Sequence, residues 1–114
     1  MIIESFHFGS ITIDSVIYGS DVIILPPRVL SSWWRREGHK LAVDDLVEVI
    51  AHRPDVLLVG CGVSNMMKVP ESTIRDLESN GIRVEIYSTP EAIERFRDLE
   101  EKGEKVAAAL HLTC

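Results

Sequence analysis

The run Asp55-Val56-Leu57-Leu58-Val59-Gly60-Cys61-Gly62 says most about what this chain becomes. Four successive apolar residues leave a strand with no polar face, so both of its sides need cover, as in a parallel or mixed sheet packed between layers. The glycines beyond it mark a sharp turn, and open α/β sheets bind ligands at such carboxyl-edge turns.

What surrounds this strand repeats the theme. Val43, Leu46, Val47 and Ile50 fall at i, i+3, i+4 and i+7, an apolar helical stripe that Asp44 can begin and Pro54 must end. Pro70-Glu71 and Thr89-Pro90-Glu91 each open a helix with an early proline and an acid in the first turn. Gly81 and Gly103 stand where those helices need a left-handed terminator, and Ile82–Ser88 and Lys105–Leu112 are the strands that follow. Both helices end in Arg-Asp-Leu-Glu-x-x-Gly, which is read as one helix-ending solution used twice and not as a duplication. Alternating strands and helices imply right-handed parallel crossovers, so the three strands share a sheet and their carboxyl ends share an edge. Gly60–Gly62, Ser88-Thr89 and His111–Cys114 are then expected together. The expected core is Leu46, Ile50, Val56, Leu57, Leu58, Val59, Leu77, Val84, Ile86, Phe96, Leu99, Ala107 and Ala109.

The amino-terminal third reads differently. From Phe6 to Trp34, short β-prone runs (Ile11–Ile13, Val16–Tyr18, Val22–Leu25, Val29–Trp34) alternate with turn residues, which predicts a small antiparallel meander over residues 1–36 ahead of an αβαβαβ portion over 41–114. At 114 residues and 46% hydrophobic content, this is one domain with enough core to need no staples. A net charge of -6 argues against wholesale binding to nucleic acid or an anionic membrane. No apolar run is long enough to span a bilayer and the start lacks a secretory pattern, so a soluble, cytoplasmic protein with reduced Cys61 and Cys114 is expected.

Several residues invite chemistry. Gly60-Cys61-Gly62 opens like a dinucleotide fingerprint, but Asn65 holds the third glycine position and no acid ends the next strand. Its amides, with Asn65 and Lys68, are candidates to receive a small anion, the alternative being a turn with nothing bound. Cys61 near a helix start has one requirement of a nucleophile, a setting that can lower a thiol pKa, and His111 is its only candidate base; a hydrogen-bonded structural histidine is the competing reading. The segment Trp33-Trp34-Arg35-Arg36-Glu37-Gly38-His39-Lys40, counted with Arg28, carries four cations and one acid in an acidic chain. Strand alternation would turn one tryptophan inward and the other outward as an interface anchor, unless Arg35 or Arg36 stacks on the outward ring and covers it. Arg35, Arg36 and His39 are also conceivable phosphate ligands, and Trp34 a stacking platform for single-stranded nucleic acid. Asp44-Asp45, Glu94, Asp98 and Glu100-Glu101 suit solvated helix faces.

Taken together, Phe8-Gly9-Ser10-Ile11, Asp21-Val22-Ile23-Ile24, Trp34-Arg35 with Gly38-His39, Leu58-Val59-Gly60-x-Gly62, Lys68-Val69-Pro70, Thr89-Pro90-x-Ala92 and the closing Val106-Ala107-Ala108-Ala109-Leu110-His111-Leu112-Thr113-Cys114 resemble a family of small α/β proteins of largely unassigned function. That family includes the mitochondrial respiratory complex I assembly factor 3 and the adipogenesis-associated domain protein. The resemblance spans nearly the whole chain and implies three layers: a mixed, largely parallel central sheet with an extra β layer. It implies no established enzyme activity. Cys61 stands where relatives often carry threonine or another small residue, which weakens an essential-thiol role, and Phe96-Arg97 replaces a Tyr-Asn-like pair.

These readings lead to a non-catalytic interaction or assembly module with an unidentified protein partner, no cofactor and no metal, and a possible homo-oligomer. Its contact residues would be Trp33, Trp34, Arg35, Arg36 and His39. The rival is a pocket for an anionic metabolite lined by Gly60, Cys61, Gly62, Asn65, Lys68, His111 and Cys114.

Overall fold

A computed structural model describes all residues, 1–114, and places them in eight strands and three α-helices. Strands β1 (Ile3–His7), β2 (Ser10–Ile13) and β3 (Val16–Tyr18) form a small antiparallel sheet. Strands β4 (Val22–Leu25), β5 (Arg28–Leu30), β6 (Val56–Gly60), β7 (Arg83–Tyr87) and β8 (Val106–Leu110) form the central one, ordered β5-β4-β8-β6-β7. The expected meander is therefore too long. It stops at Tyr18, and β4 leaves it to pair antiparallel with β8, because Val22-Ile23-Ile24-Leu25 is apolar on both faces and needs a central position. The first strand also begins earlier than the sequence indicates, since Glu4, Ser5 and His7 interrupt its apolar pattern.

The three carboxyl-terminal strands behave as expected. Strand β6 pairs parallel with both β8 and β7. Strand β8 lies in the middle with both faces covered, and its small residues Ala107, Ala108 and Ala109 let the flanking layers approach. Alternate residues feed two cores. Val22, Ile24, Val56, Leu58, Ala108 and Leu110 point toward the small sheet and helix α3 (Thr89–Glu101). Ile23, Leu25, Leu57, Val59, Ala107 and Ala109 meet the residues of helices α1 (Val47–His52) and α2 (Glu71–Ser79). Leu58 is fully buried in the first core, so Leu58→Ala should cost about 3 kcal/mol, read as a lower chemical-denaturation midpoint.

Three core expectations need correction. Ile86 is 42% exposed and Val84 only half-buried, because β7 is an edge strand with one flank free of any neighbour. Ile50 is half-buried and Val47 exposed, while Leu46 and Val49 go inside. The cause is a 3-10 turn over Val43–Leu46, whose tighter winding rotates the apolar stripe before α1 begins. Arg53, in the left-handed conformation, caps α1 just ahead of Pro54.

Strand β7 is tied to α3 by charge. Glu85 accepts from Arg95 Nε at 2.8 Å, from the Tyr87 hydroxyl at 2.7 Å and from Arg83 Nη2 at 3.1 Å. The Arg95 bond first, with help from Tyr87 and Arg83 and against the cost of burial, pulls the Glu85 carboxyl from 4.5 down to about 2. A depressed carboxylate stabilises the fold above its unfolded value and stops doing so as pH falls through its folded one. The stability gap between the protein and Glu85→Gln should accordingly be full above pH 4.5 and close as pH falls to about 2, as followed by thermal melts across that window.

Candidate functional site

The carboxyl ends of β6, β7 and β8 converge, held by backbone bonds. His111 N–H donates to Gly60 O at 2.9 Å, Cys61 N–H to Tyr87 O at 2.9 Å and Thr89 N–H to Gly62 O at 3.1 Å. Buried Thr89 joins all three, its hydroxyl donating to His111 O at 2.5 Å and accepting from Gly62 N–H at 2.9 Å. Both glycines are steric necessities here. A Cβ on Gly60 would lie 2.9 Å from Thr89 Oγ1, and one on Gly62 only 2.0 Å from the backbone carbon of Cys114.

The structure brings Gly60, Cys61, Gly62, His111 and Cys114 together, but fills the space they enclose with the chain's own residues. Val63 N–H donates to Thr113 O at 2.7 Å, and Ser64 and Met66 N–H to Cys114 O at 3.1 and 3.0 Å. The turn's amides are thus taken by peptide carbonyls and the Thr89 hydroxyl, and the surface hollows are lined by other residues. Asn65 occupies the left-handed turn position at φ 57°. Lys68 is exposed, and its backbone bridges His39 and Leu41. The Cys61 thiol is buried, and that burial raises its pKa against the opposing fields of Lys68 and Arg35. It is a protonated thiol at neutral pH, the reverse of what a nucleophile needs.

A different polar centre lies next to this edge. The antiparallel pairing of β4 with β8 sets Val22 opposite Leu110, which puts Asp21 beside His111. Asp21 Oδ2 meets His111 Nδ1 at 2.8 Å and Arg35 Nη2 at 2.8 Å, and its Oδ1 accepts from Leu112 N–H at 2.7 Å. The side chains of Arg35, His111 and Asp21 are only 6, 7 and 15% exposed. Burial opposes ionisation of Asp21, but the bonds from His111, the Leu112 amide and Arg35 outweigh it and hold the carboxyl below its ordinary value. Arg35 Nη2 also lies 3.1 Å from His111 Nδ1, and the Thr113 hydroxyl stands 3.3 Å from His111 Nε2. Acid, imidazole and hydroxyl stand in hydrolase order, and of the three only Asp21 lines a surface hollow.

What this centre holds is the loop 31–40. Trp33 N–H donates to Asp21 O at 2.9 Å, and Arg35 Nε donates to Gly38 O at 3.0 Å. The Arg35 guanidinium lies 4.7 Å over the Trp33 ring, and its buried Nη1 has no hydrogen-bond acceptor. On the other flank Trp33 Nε1 donates to Asp45 O at 2.9 Å, and the Asp45 carboxylate accepts from Arg36 and Ala42 N–H at 3.0 and 2.9 Å. The exposed His39 sets its ring edge-on to His111, with centroids 5.4 Å apart.

Trp34 is left 85% exposed on top of this frame. One tryptophan points in and one out, as expected, but not by strand alternation, since β5 ends at Leu30 and both lie in irregular chain. The arginine stack falls on the inward ring and leaves the outward one bare. On one side of Trp34 lies a hollow of about 470 Å³ lined by Asp21, Arg35 and Arg36, and on the other a hollow of about 340 Å³ lined by Asp44, Val47 and Glu48. Asp21 enters the sequence reading only within the stretch Asp21-Val22-Ile23-Ile24 and with no site role, because an acid ahead of an apolar strand reads as a turn residue.

Residues 3–111 match the family described as "Protein of unknown function (DUF498/DUF598)". The chain belongs to the DUF498/DUF598 family. This DUF498/DUF598 member is similar to the conserved hypothetical protein PH1505 from Pyrococcus horikoshii OT3, with 29% identity over 100% of both chains and a TM-score of 0.79. It shares its fold with an outer membrane protein from Bartonella henselae (23% identity, 98% of this chain and 94% of that one, TM-score 0.85). The same fold occurs in a Mth938-like domain from Bordetella pertussis (20% identity, 96% and 84%, TM-score 0.79). The DUF498/DUF598 assignment agrees with the resemblance read from the sequence and brings no activity with it. No helix of the chain is long and apolar enough to cross a membrane.

Proposed function

We propose that this protein is a non-catalytic interaction module, assembly-factor-like in kind, whose contact surface is the loop 33–40 with Trp34 as its anchor. The observation that carries this reading is a large aromatic side chain, 85% exposed, on a loop fixed from beneath by the Asp21–Arg35–His111 cluster and from the side by Asp45. A ring displayed on an ordered loop has little entropy left to lose on binding, and anchors of this composition dominate interface energies. The two hollows beside the ring supply the polar rim.

Of the loop's cations, Arg35 is committed to the interior, so Arg36 and Trp34 are the residues to change. The immobilised protein should capture a defined partner from its native lysate, and Trp34→Ala should weaken that capture by about 2 kcal/mol, roughly 30-fold, with an unaltered melting curve. An identical set of proteins captured by Trp34→Ala would contradict the proposal.

A further inference from the structure

The surface around Trp34 is divided by charge. On one side, Arg36 is an exposed cation in no ion pair; on the other, Asp44 and Glu48 are acids in no ion pair, and Val47 beside them is 60% exposed. Ser32, Trp33 and Trp34 line both hollows and form the ridge between them. A ridge with a basic hollow on one side and an acidic hollow on the other has a geometric property: a half-turn about an axis along its crest, in the plane of contact, sets the basic hollow of one copy over the acidic hollow of the other. Two copies related by that half-turn set basic against acidic twice, with Trp34 of each beside the exposed Val47 of the other.

We infer that the partner of this surface is a second copy of the chain, in an isologous two-fold dimer with Arg36 of each protomer facing Glu48 and Asp44 of the other. This rests on the reading of loop 33–40 as a contact surface and names its occupant. The net charge of -6 on each copy opposes association, but at physiological salt fields between separated charges fade within about 8 Å, whereas pairs in contact are screened much less. A small contact with a charged rim supports weak self-association, with Kd on the order of 100 μM.

The test is sedimentation equilibrium of the full chain with two charge reversals, Arg36→Glu and Glu48→Arg, whose folding is checked by circular dichroism and melting. The wild type should move with concentration from 12.8 kDa toward twice that mass. Each reversal alone sets like charges together twice per dimer and should weaken self-association about 100-fold or more. Mixed in equal amounts, the two variants should associate again. The glutamate introduced in one then meets the arginine introduced in the other, while the native Arg36 and Glu48 still meet at the second contact. Tryptophan emission should shift to the blue as the mixture forms and Trp34 leaves water.

A wild type that stays monomeric at millimolar concentration would overturn the inference, as would single variants that still dimerise or a mixture that does not. Monomeric wild type together with Trp34-dependent capture of a different protein overturns this inference and leaves the proposed function standing. Capture indifferent to Trp34 counts against the proposed function itself.

Discussion

Asp21→Ala should lower the unfolding free energy by about 3–5 kcal/mol, the loss typical when one partner of a buried charge pair is removed. Arg35 would keep a full charge in a site where its side chain is 6% exposed, with Nη1 already lacking an acceptor and Nη2 now losing its own. His111 Nδ1 would lose its carboxylate partner at 2.8 Å, keeping only the Arg35 guanidinium 3.1 Å away, and the Leu112 amide its acceptor at 2.7 Å. Asp21→Asn keeps the shape but not the charge, and should fall between the two. Because the folded carboxyl lies below its ordinary value of 3.8, its contribution is complete above that pH and disappears as pH drops through the folded value. Urea titrations at neutral pH and near pH 3 should show the gap between wild type and Asp21→Asn narrowing in acid.

Gly62→Ala should be comparably damaging, at about 4 kcal/mol. Gly62 sits at φ +99°, where an alanine is strained by about 1–2 kcal/mol, and its new Cβ would overlap the Cys114 backbone at 2.0 and 2.4 Å. The clash is with main chain, so relief requires residues 113–114 to move. Moving them breaks the bonds from Val63, Ser64 and Met66, each worth about 1 kcal/mol. Gly81→Ala is the control, since it shares the positive φ, +78°, but its Cβ would meet nothing within 4 Å. That variant should lose only the strain. Equal losses at the two glycines, measured by guanidinium unfolding, would show that the packing of residues 113–114 against the turn contributes nothing.

The sequence carries the parallel half of the fold because its signals there are local and redundant: unbroken apolar strands, acid-rich helix starts and glycine stops. Those signals locate the convergence of Gly60, Thr89 and His111 without any knowledge of strand order. The fate of β4 is hidden, because a short apolar strand after a turn looks alike whether it continues a meander or crosses to another sheet. The phase of α1 is hidden by the 3-10 turn before it. The loop 33–40 stands out by composition, but its fixing does not, since Asp21 and His111 are 90 residues apart and nothing local marks either as the other's partner. Cys61, conspicuous between two glycines, proves to be a packing residue of the second core.

Everything proposed for loop 33–40 depends on the buried Asp21–Arg35–His111 cluster holding it in a single conformation, so that Trp34 is displayed as a rigid anchor. The direct measurement is backbone amide relaxation by NMR across residues 33–38, including the Trp34 indole N–H, in the protein and in Asp21→Asn. Order parameters should be about 0.85 in the wild type, falling below about 0.6 in the variant. Values already below about 0.6 in the wild type, or equal in the two proteins, would contradict the proposed anchoring.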